Sequence, residues 1–280
     1  MKDEIFAKHV RLRVLRMLYQ MGYGHYGGSL SIVECLSVLY NGGLNISPKL
    51  KQDPNRDYVV LSKGHAGPAL YAALRVKGFI PEEMLYTLNE GGTSLPSHPD
   101  MNKTPGVDMT TGSLGQGVAV ACGIALKNKA DKRNNFTTAI VGDGELDEGQ
   151  CWEAFQFAAS QKLSHLIVFI DYNKRQLDGY VWDICDLRDI ADKLRSFGFD
   201  TQFVDGRNTG DIRTALESAK ASSYAGPKAI VLDTDKGQGV PFLEQIQDNH
   251  HIRPGEDLNT MLHDVIEKLQ SELERTGDTI

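Results

Sequence analysis

The stretch from Thr137 to Gly179, TTAIVGDGELDEGQCWEAFQFAASQKLSHLIVFIDYNKRQLDG, constrains the fold more than any other part of the chain. It opens with an apolar, β-branched run, Thr137 to Val141, short enough for a buried strand. Gly142-Asp143-Gly144 and an acidic turn follow, and a helical pattern then puts Trp152, Phe155 and Ala159 on one face. A second apolar run, Leu166 to Ile170, ends at Asp171-Tyr172-Asn173. Two parallel strands joined by a helix bring Asp143 and Asn173, thirty positions apart, to the same carboxyl edge of one sheet. Open α/β sheets bind their ligands at that edge.

The pair suits a magnesium-bound diphosphate. Mg²⁺ prefers hard oxygen ligands and takes only one or two carboxylates, leaving positions for phosphate oxygens and water. Asp143 offers a carboxylate, Asn173 an amide oxygen, and a backbone carbonyl just beyond offers a third ligand. Gly144 lets backbone N–H groups come close to a phosphate, with the positive end of the next helix aimed there. A lone Gly-Asp-Gly is more often an ordinary strand-end turn. The Asn-Lys at the end of the next strand shifts the balance toward a site.

At 280 residues the chain can bury a good core, and 41% hydrophobic with 24% charged residues is ordinary for a globular protein. A net charge of −7 argues against non-specific nucleic-acid binding and leaves phosphates to be met by local geometry. The cysteines, Cys35, Cys122, Cys151 and Cys185, are scattered without metal-ligand spacing, as expected of buried, reduced thiols in a cytosolic protein. The N-terminus has no apolar signal core and no run approaches membrane-spanning length, so the expectation is a soluble, cytoplasmic protein without a membrane partner.

Elsewhere strands and helices alternate. Glu4 to Gln20 predicts an amphipathic helix with Phe6, Val10, Val14, Met17 and Leu18 inward and Lys8, Arg11, Arg13 and Arg16 on a solvated face. Met21 to Gly28 holds four glycines in seven positions around His25, a loop suited to close approach of a ligand, and Ser29 or Ser31 caps a helix running from Glu34 to Tyr40. Further strands are expected over Asp57 to Ser62, Asp200 to Val204 and Lys228 to Asp233. Helices are expected over Ala66 to Lys77, from Pro81, over Gln116 to Lys129, Leu187 to Phe197, Asp211 to Ala221 and Leu258 to Leu273. The fold class is therefore α/β, a doubly wound, mostly parallel sheet flanked by helices, with residues 1–280 forming one domain. Of eight histidines, His25, His65, His98 and His250 lie at strand ends or in glycine- and proline-rich loops that can share one sheet edge, which suits polar catalysis near neutrality. His9, His165, His251 and His263 have no such context and are expected to be structural or at the surface.

Three long motifs, LSKGHA (Leu61 to Ala66), SHPDMNKTPGVDMTTGSLGQG (Ser97 to Gly117) and GDGELDEGQCWEA (Gly142 to Ala154), occur in this order. With the Gly-Asp-Gly and the later Asn173, the chain resembles the thiamine-diphosphate-binding domain of transketolase-like enzymes, and most closely the separate N-terminal subunits of split transketolases. The resemblance implies the transfer of a two-carbon ketol unit from a ketose to an aldose, with thiamine diphosphate and Mg²⁺ as cofactors and Ca²⁺ or Mn²⁺ as substitutes for the metal. It implies that Asp143, Asn173 and the backbone carbonyl of Arg175 hold the metal. Gly144 then meets the diphosphate, and Gly112, Ser113 and Leu114 contact the aminopyrimidine and the centre of the cofactor. His25 and His250 match positions that contact the sugar, while His65 and His98 match positions lining the thiamine and the reacting carbons. It further implies a partner chain carrying the pyrimidine-binding domain and a third domain, with two copies of each chain. Tyr26, the Ser94-Leu95-Pro96-Ser97 segment and Asn249 depart from the family pattern and bear on which sugar is used.

Other readings stay open at this level. A deoxyxylulose-phosphate synthase or a 2-oxoacid dehydrogenase subunit would share Gly-Asp-Gly and asparagine, although the first two long motifs favour transketolase. A nicotinamide-binding GxGxxG is disfavoured because Asp147 stands at the third glycine position. A non-catalytic regulatory subunit is disfavoured by the intact Asp143, Asn173, His25, His65, His98 and His250.

Overall fold

The computed structural model describes residues 1–277. Five strands, β1 (Tyr58–Leu61), β2 (Thr137–Gly142), β3 (Leu166–Tyr172), β4 (Asp200–Asp205) and β5 (Lys228–Asp233), pair in the order β1-β2-β3-β5-β4. Every pairing is parallel. The register sets Gly142 beside Asp171 and Tyr172 beside Asp233, so the loops that follow β2, β3 and β5 leave the sheet at one level. β2 and β3 are buried on both faces, which is why they read as continuous apolar runs rather than as alternating ones.

Helices occupy both faces. In chain order they are α1 (Asp3–Met21), α2 (Tyr26–Leu30), α3 (Val33–Val38), α4 (Gly67–Lys77), α5 (Gln116–Ala130), α6 (Gly149–Ser160), α7 (Val181–Ile184), α8 (Ile190–Ser196), α9 (Thr209–Ala221), α10 (Pro241–Gln245) and α11 (Glu256–Arg275). Alternate strand residues feed two separate cores. Ile140, Ile167, Phe169, Ile230 and Leu232 share one core with α1, α3, α4, α9 and α11, whereas Ala139, Val141, Val168, Ile170 and Val231 share the other with α5, α6 and α8. Each fully buried Leu, Ile or Phe in these layers contributes about 1.5–3 kcal/mol through burial. The connection through α6 steps from β2 to β3, and that through α8 carries on past β5's position to β4. α9 returns in the opposite direction, so a crossover of constant hand requires it on the opposite face, where it lies.

Several expectations change. The arginines of α1 do not lie on a solvated face: Arg11 and Arg13 are buried. Arg11 pairs with Glu34 of α3, and Arg13 Nε lies 2.8 Å from Glu82. Helices surround α1 on several sides, and a charge buried there requires a carboxylate partner. The glycine-dense segment after α1 is not all loop, since its second half is the short helix α2. Neither Ser29 nor Ser31 caps α3, whose N-cap is Ile32. The segment from Pro81 forms a 3-10 turn, Glu82–Thr87, rather than an α-helix. Cys35, Cys122 and Cys151 are buried as expected, but Cys185 is exposed. Among the described residues no helix is long and apolar enough to cross a membrane.

Candidate active site

The loops at the carboxyl ends of β1, β2, β3 and β5 enclose a cavity of about 170 Å³ lined by Lys63, Asp143, Gly144, Asn173, Lys236 and His250, among others. A larger and more open depression of about 900 Å³ lies at the opposite edge, beside Asp57 and Phe136, and none of the candidate site residues lines it. The smaller cavity carries the convergent chemistry.

Asp143 follows β2 directly and is buried. Its Oδ1 accepts from the Gly144 N–H at 2.8 Å and its Oδ2 from the Lys174 N–H at 2.6 Å. Lys174 delivers that N–H from a left-handed backbone, φ 69°, a conformation that costs a side-chain-bearing residue roughly 1 kcal/mol or more. Among the described residues no cationic side chain bonds to Asp143. Burial, reinforced by the neighbouring Asp171 charge, pushes its carboxyl up to about 7. Gly144 allows the loops after β2 and β3 to touch, because a Cβ there would stand 2.7 Å from the Gln176 Cβ.

Beneath this pair lies a buried polar layer. Asp171 Oδ2 accepts from Lys63 Nζ at 2.6 Å, Ser31 Oγ at 2.7 Å and Asn173 Nδ2 at 2.7 Å, and Oδ1 accepts from Thr234 Oγ1 at 2.5 Å. Burial alone would raise the Asp171 carboxyl, but the Lys63 charge and the hydrogen bonds from Lys63, Thr234 and Ser31 hold it below the usual range. Glu145 binds the loops from another side: Oε1 accepts from Ser62 Oγ at 2.5 Å and the Gly115 N–H at 2.8 Å, and Oε2 from the Gly142 N–H at 3.0 Å. Burial leaves its carboxyl above the ordinary glutamate range despite these donors.

The histidines gather on the outer side. His25 is the hub, with ring centroids 5.5 Å from His65, 6.2 Å from His98, 5.2 Å from His250 and 4.9 Å from His251. Burial lowers His25 to about 4 and His250 to about 3, and His65 and His98 shift down for the same reason. These rings are therefore neutral at physiological pH. Lys236 Nζ donates to His250 Nδ1 at 3.1 Å and to the Arg175 and Gln176 carbonyls, each at 3.1 Å. An ammonium only donates, so His250 carries its own proton on Nε2. Burial lowers the Lys236 ammonium to about 8.

Of the residues expected from sequence, Asp143, Gly144, Asn173, Arg175, His65, Leu114 and His250 line the cavity. His25 and His98 stand at its outer side, Gly112 packs against His98, and Ser113 is exposed on the same turn. His251, expected to be structural or at the surface, is exposed but lies against His25 and Tyr23 and so belongs to the cluster. Tyr26 and Asn249 are buried. Asn249 ties the segment after β5 together by donating to the Lys236 and Leu243 carbonyls at 2.7 and 2.8 Å. Lys63, Glu145, Asp171 and Lys236 were not singled out by sequence. The one signal they share is a charged residue at or just beyond a strand's carboxyl end.

Residues 2–264 match the family model described as transketolase, thiamine diphosphate binding domain. The chain is 49% identical over 252 residues to the 6-deoxy-6-sulfo-D-fructose transketolase subunit SqwG of Clostridium sp. (strain MSTE9), a match covering 90% of this chain and 91% of that one. It is 34% identical to an apulose-4-phosphate transketolase subunit of Phocaeicola vulgatus, over 96% of each. The crystal structure of transketolase from Campylobacter jejuni superposes with a TM-score of 0.87 at 29% identity, covering 95% of this chain and 43% of that one. The chain thus spans less than half the length of that solved enzyme. A parallel sheet with its cavity at the carboxyl edge, and a family match over nearly its whole length, lead to one conclusion: the chain belongs to the transketolase family, whose members transfer ketol groups, and corresponds to its thiamine diphosphate-binding domain.

Proposed function

We propose that this chain is the cofactor-binding subunit of a split transketolase, and that it works only with a partner chain carrying the pyrimidine-binding domain, two copies of each forming the assembly. The observation that supports it most is the meeting of Asp143 and Asn173 with two buried lysines and a neutral histidine cluster around one cavity. A buried carboxylate without a cationic partner, an amide oxygen and the Arg175 carbonyl make a hard-oxygen set of the kind Mg²⁺ takes, with positions left for a diphosphate. Ca²⁺ or Mn²⁺ would substitute in the same set. Lys236 offsets diphosphate charge, the Gly144 region supplies backbone N–H donors, and Gly112, Ser113 and Leu114 border the cofactor.

Thiamine diphosphate supplies the electron sink for the two-carbon unit. The chain's own contribution is placement and proton handling. His25 and His250 hydrogen-bond the sugar, while His65 and His98 line the reacting centre. Because the rings are neutral, His25, His65 and His98 can each donate from one nitrogen and accept at the other, while His250, whose Nδ1 accepts from Lys236, donates from Nε2. By analogy with the relatives named for 6-deoxy-6-sulfo-D-fructose and apulose 4-phosphate, the donor is a ketose with a terminal anion, a sulfonate or a phosphate. We place the enzyme in the cytoplasm and take residues 1–280 as one domain.

The test is to co-purify the chain with whatever binds it in its own cell and analyse the denatured complex for thiamine diphosphate. The complex is then assayed with 6-deoxy-6-sulfofructose and fructose 6-phosphate as donors. A second chain with cofactor and ketol transfer to an aldose is expected. A partner without cofactor, even after thiamine diphosphate and Mg²⁺ are added, would point to a non-catalytic subunit.

A further inference from the structure

We infer that Asp171 is a positioning residue whose carboxylate decides which end of the Asn173 amide faces the divalent cation. The inference rests on the function proposed above. An asparagine side chain has two ends of nearly equal size, only one of which ligates a hard cation, and nothing in its shape chooses between them. Here the choice is made from below. The Asp171 carboxylate accepts from four groups: Lys63 Nζ, Ser31 Oγ, Thr234 Oγ1 and one end of the Asn173 amide at 2.7 Å. Carboxylates accept and do not donate, so the end of Asn173 that faces Asp171 is the NH₂ group. The oxygen must then point the other way, where the Arg175 N–H meets it at 3.2 Å on the side of the metal set.

Lys63 completes the device. Its ammonium lies 2.6 Å from the Asp171 carboxylate within the fully buried layer and balances its charge there, so Asp171 does not draw the cation away from Asp143. Ser31 and Thr234 occupy its remaining acceptor positions and come from α2's C-terminal end and the end of β5. The orientation of one ligand atom is thereby tied to three separate segments of the chain.

The experiment uses the full chain with its co-purified partner. Mg²⁺ is titrated at saturating thiamine diphosphate, and the readouts are cofactor retained after desalting and the Mg²⁺-dependent rise in melting temperature. Asp171→Ala removes the carboxylate that holds the Asn173 NH₂ group and leaves the Lys63 ammonium to draw the amide oxygen instead, and is expected to weaken apparent Mg²⁺ affinity about 10–100-fold. The double variant Asp171→Ala/Asn173→Asp is expected to recover affinity to near the wild-type value, because a carboxylate at 173 has no wrong end. If the double variant binds Mg²⁺ no better than Asp171→Ala alone, Asp171 is only a structural tie and the inference falls. Should Asp171→Ala fail to fold, a structure of the wild-type assembly with Mg²⁺ decides. The Asn173 amide within about 3.5 Å of Asp171 and its oxygen on the metal supports the inference, and an amide turned away from Asp171 overturns it. Wild-type protein that binds neither Mg²⁺ nor cofactor would instead refute the proposed function.

Discussion

Glu145 offers a perturbation whose cost can be worked from named atoms. Its carboxylate is buried and accepts three hydrogen bonds, from Ser62 Oγ and the Gly115 N–H on one oxygen and from the Gly142 N–H on the other. Glu145→Gln keeps one oxygen, which can still serve Ser62 and Gly115, but turns an NH₂ group toward the Gly142 N–H. The Gly142 N–H and the new NH₂ group then face each other without an acceptor, at a cost of at least about 1–3 kcal/mol. Glu145→Ala strands all three, which sums to at least about 3 kcal/mol at the same rate. Unfolding entropy of about 2.1 cal/mol/K per residue over 280 residues gives roughly 0.6 kcal/mol/K. The glutamine variant should therefore melt about 2–5 °C below wild type and the alanine variant at least about 5 °C below. Urea titration monitored by circular dichroism measures the free energies directly. Because Gly115 adjoins the Gly112 to Leu114 turn, both variants should also bind thiamine diphosphate more weakly, alanine more than glutamine. An alanine variant within about 1 kcal/mol of wild type, or a glutamine variant as damaged as alanine, would refute the three-donor account.

Asp143→Ala should leave the fold intact and abolish Mg²⁺-dependent retention of thiamine diphosphate, and unchanged cofactor affinity by calorimetry would remove Asp143 from the metal set. Lys63→Met leaves Asp171 as a buried charge without its partner and should cost about 3–5 kcal/mol by urea titration, whereas a loss under about 1 kcal/mol would show that the pair is not what stabilises this layer. A Cβ at Gly117 would stand 2.6 Å from the Ser62 Cα, so Gly117→Ala should destabilise by about 1–3 kcal/mol, and a neutral result would mean that α5 can slide off β1. His25 is held near 4 in the folded chain, mainly by burial, against about 6.5 when unfolded. The unfolded chain therefore takes up the proton first, so the stability associated with this ring is full above about pH 6.5 and is lost as pH falls from there to about 4. Wild type should lose stability relative to His25→Gln across that window, and parallel pH profiles would contradict it.

The sheet was legible because both strand runs of the opening stretch are buried on two faces and so are apolar without interruption, and because their ends carry Asp143 and Asn173 in equivalent places. What was not legible is pairing between distant segments. Arg11 and Arg13 read as a solvated stripe until Glu34 and Glu82 come beside them. Ser31 has the composition of a helix cap, yet its hydroxyl is drawn to Asp171. Lys63 and Lys236 look like any other lysines, since only the fold surrounds them with acceptors and removes their water. His251 gave no local signal at all, because its neighbour His25 comes from the other end of the sequence.

That last separation has a kinetic side. The segment carrying His250 and His251 is joined to Gly24 by two reciprocal backbone hydrogen bonds with Ile252, both 2.9 Å. Contacts between the first and last parts of a chain are the slowest to close in folding and among the easiest to reopen without unfolding the sheet. The histidine cluster is thus expected to assemble late and to open separately, and exchange of the Gly24 and Ile252 amide hydrogens measures how often it comes apart while the rest of the molecule stays folded.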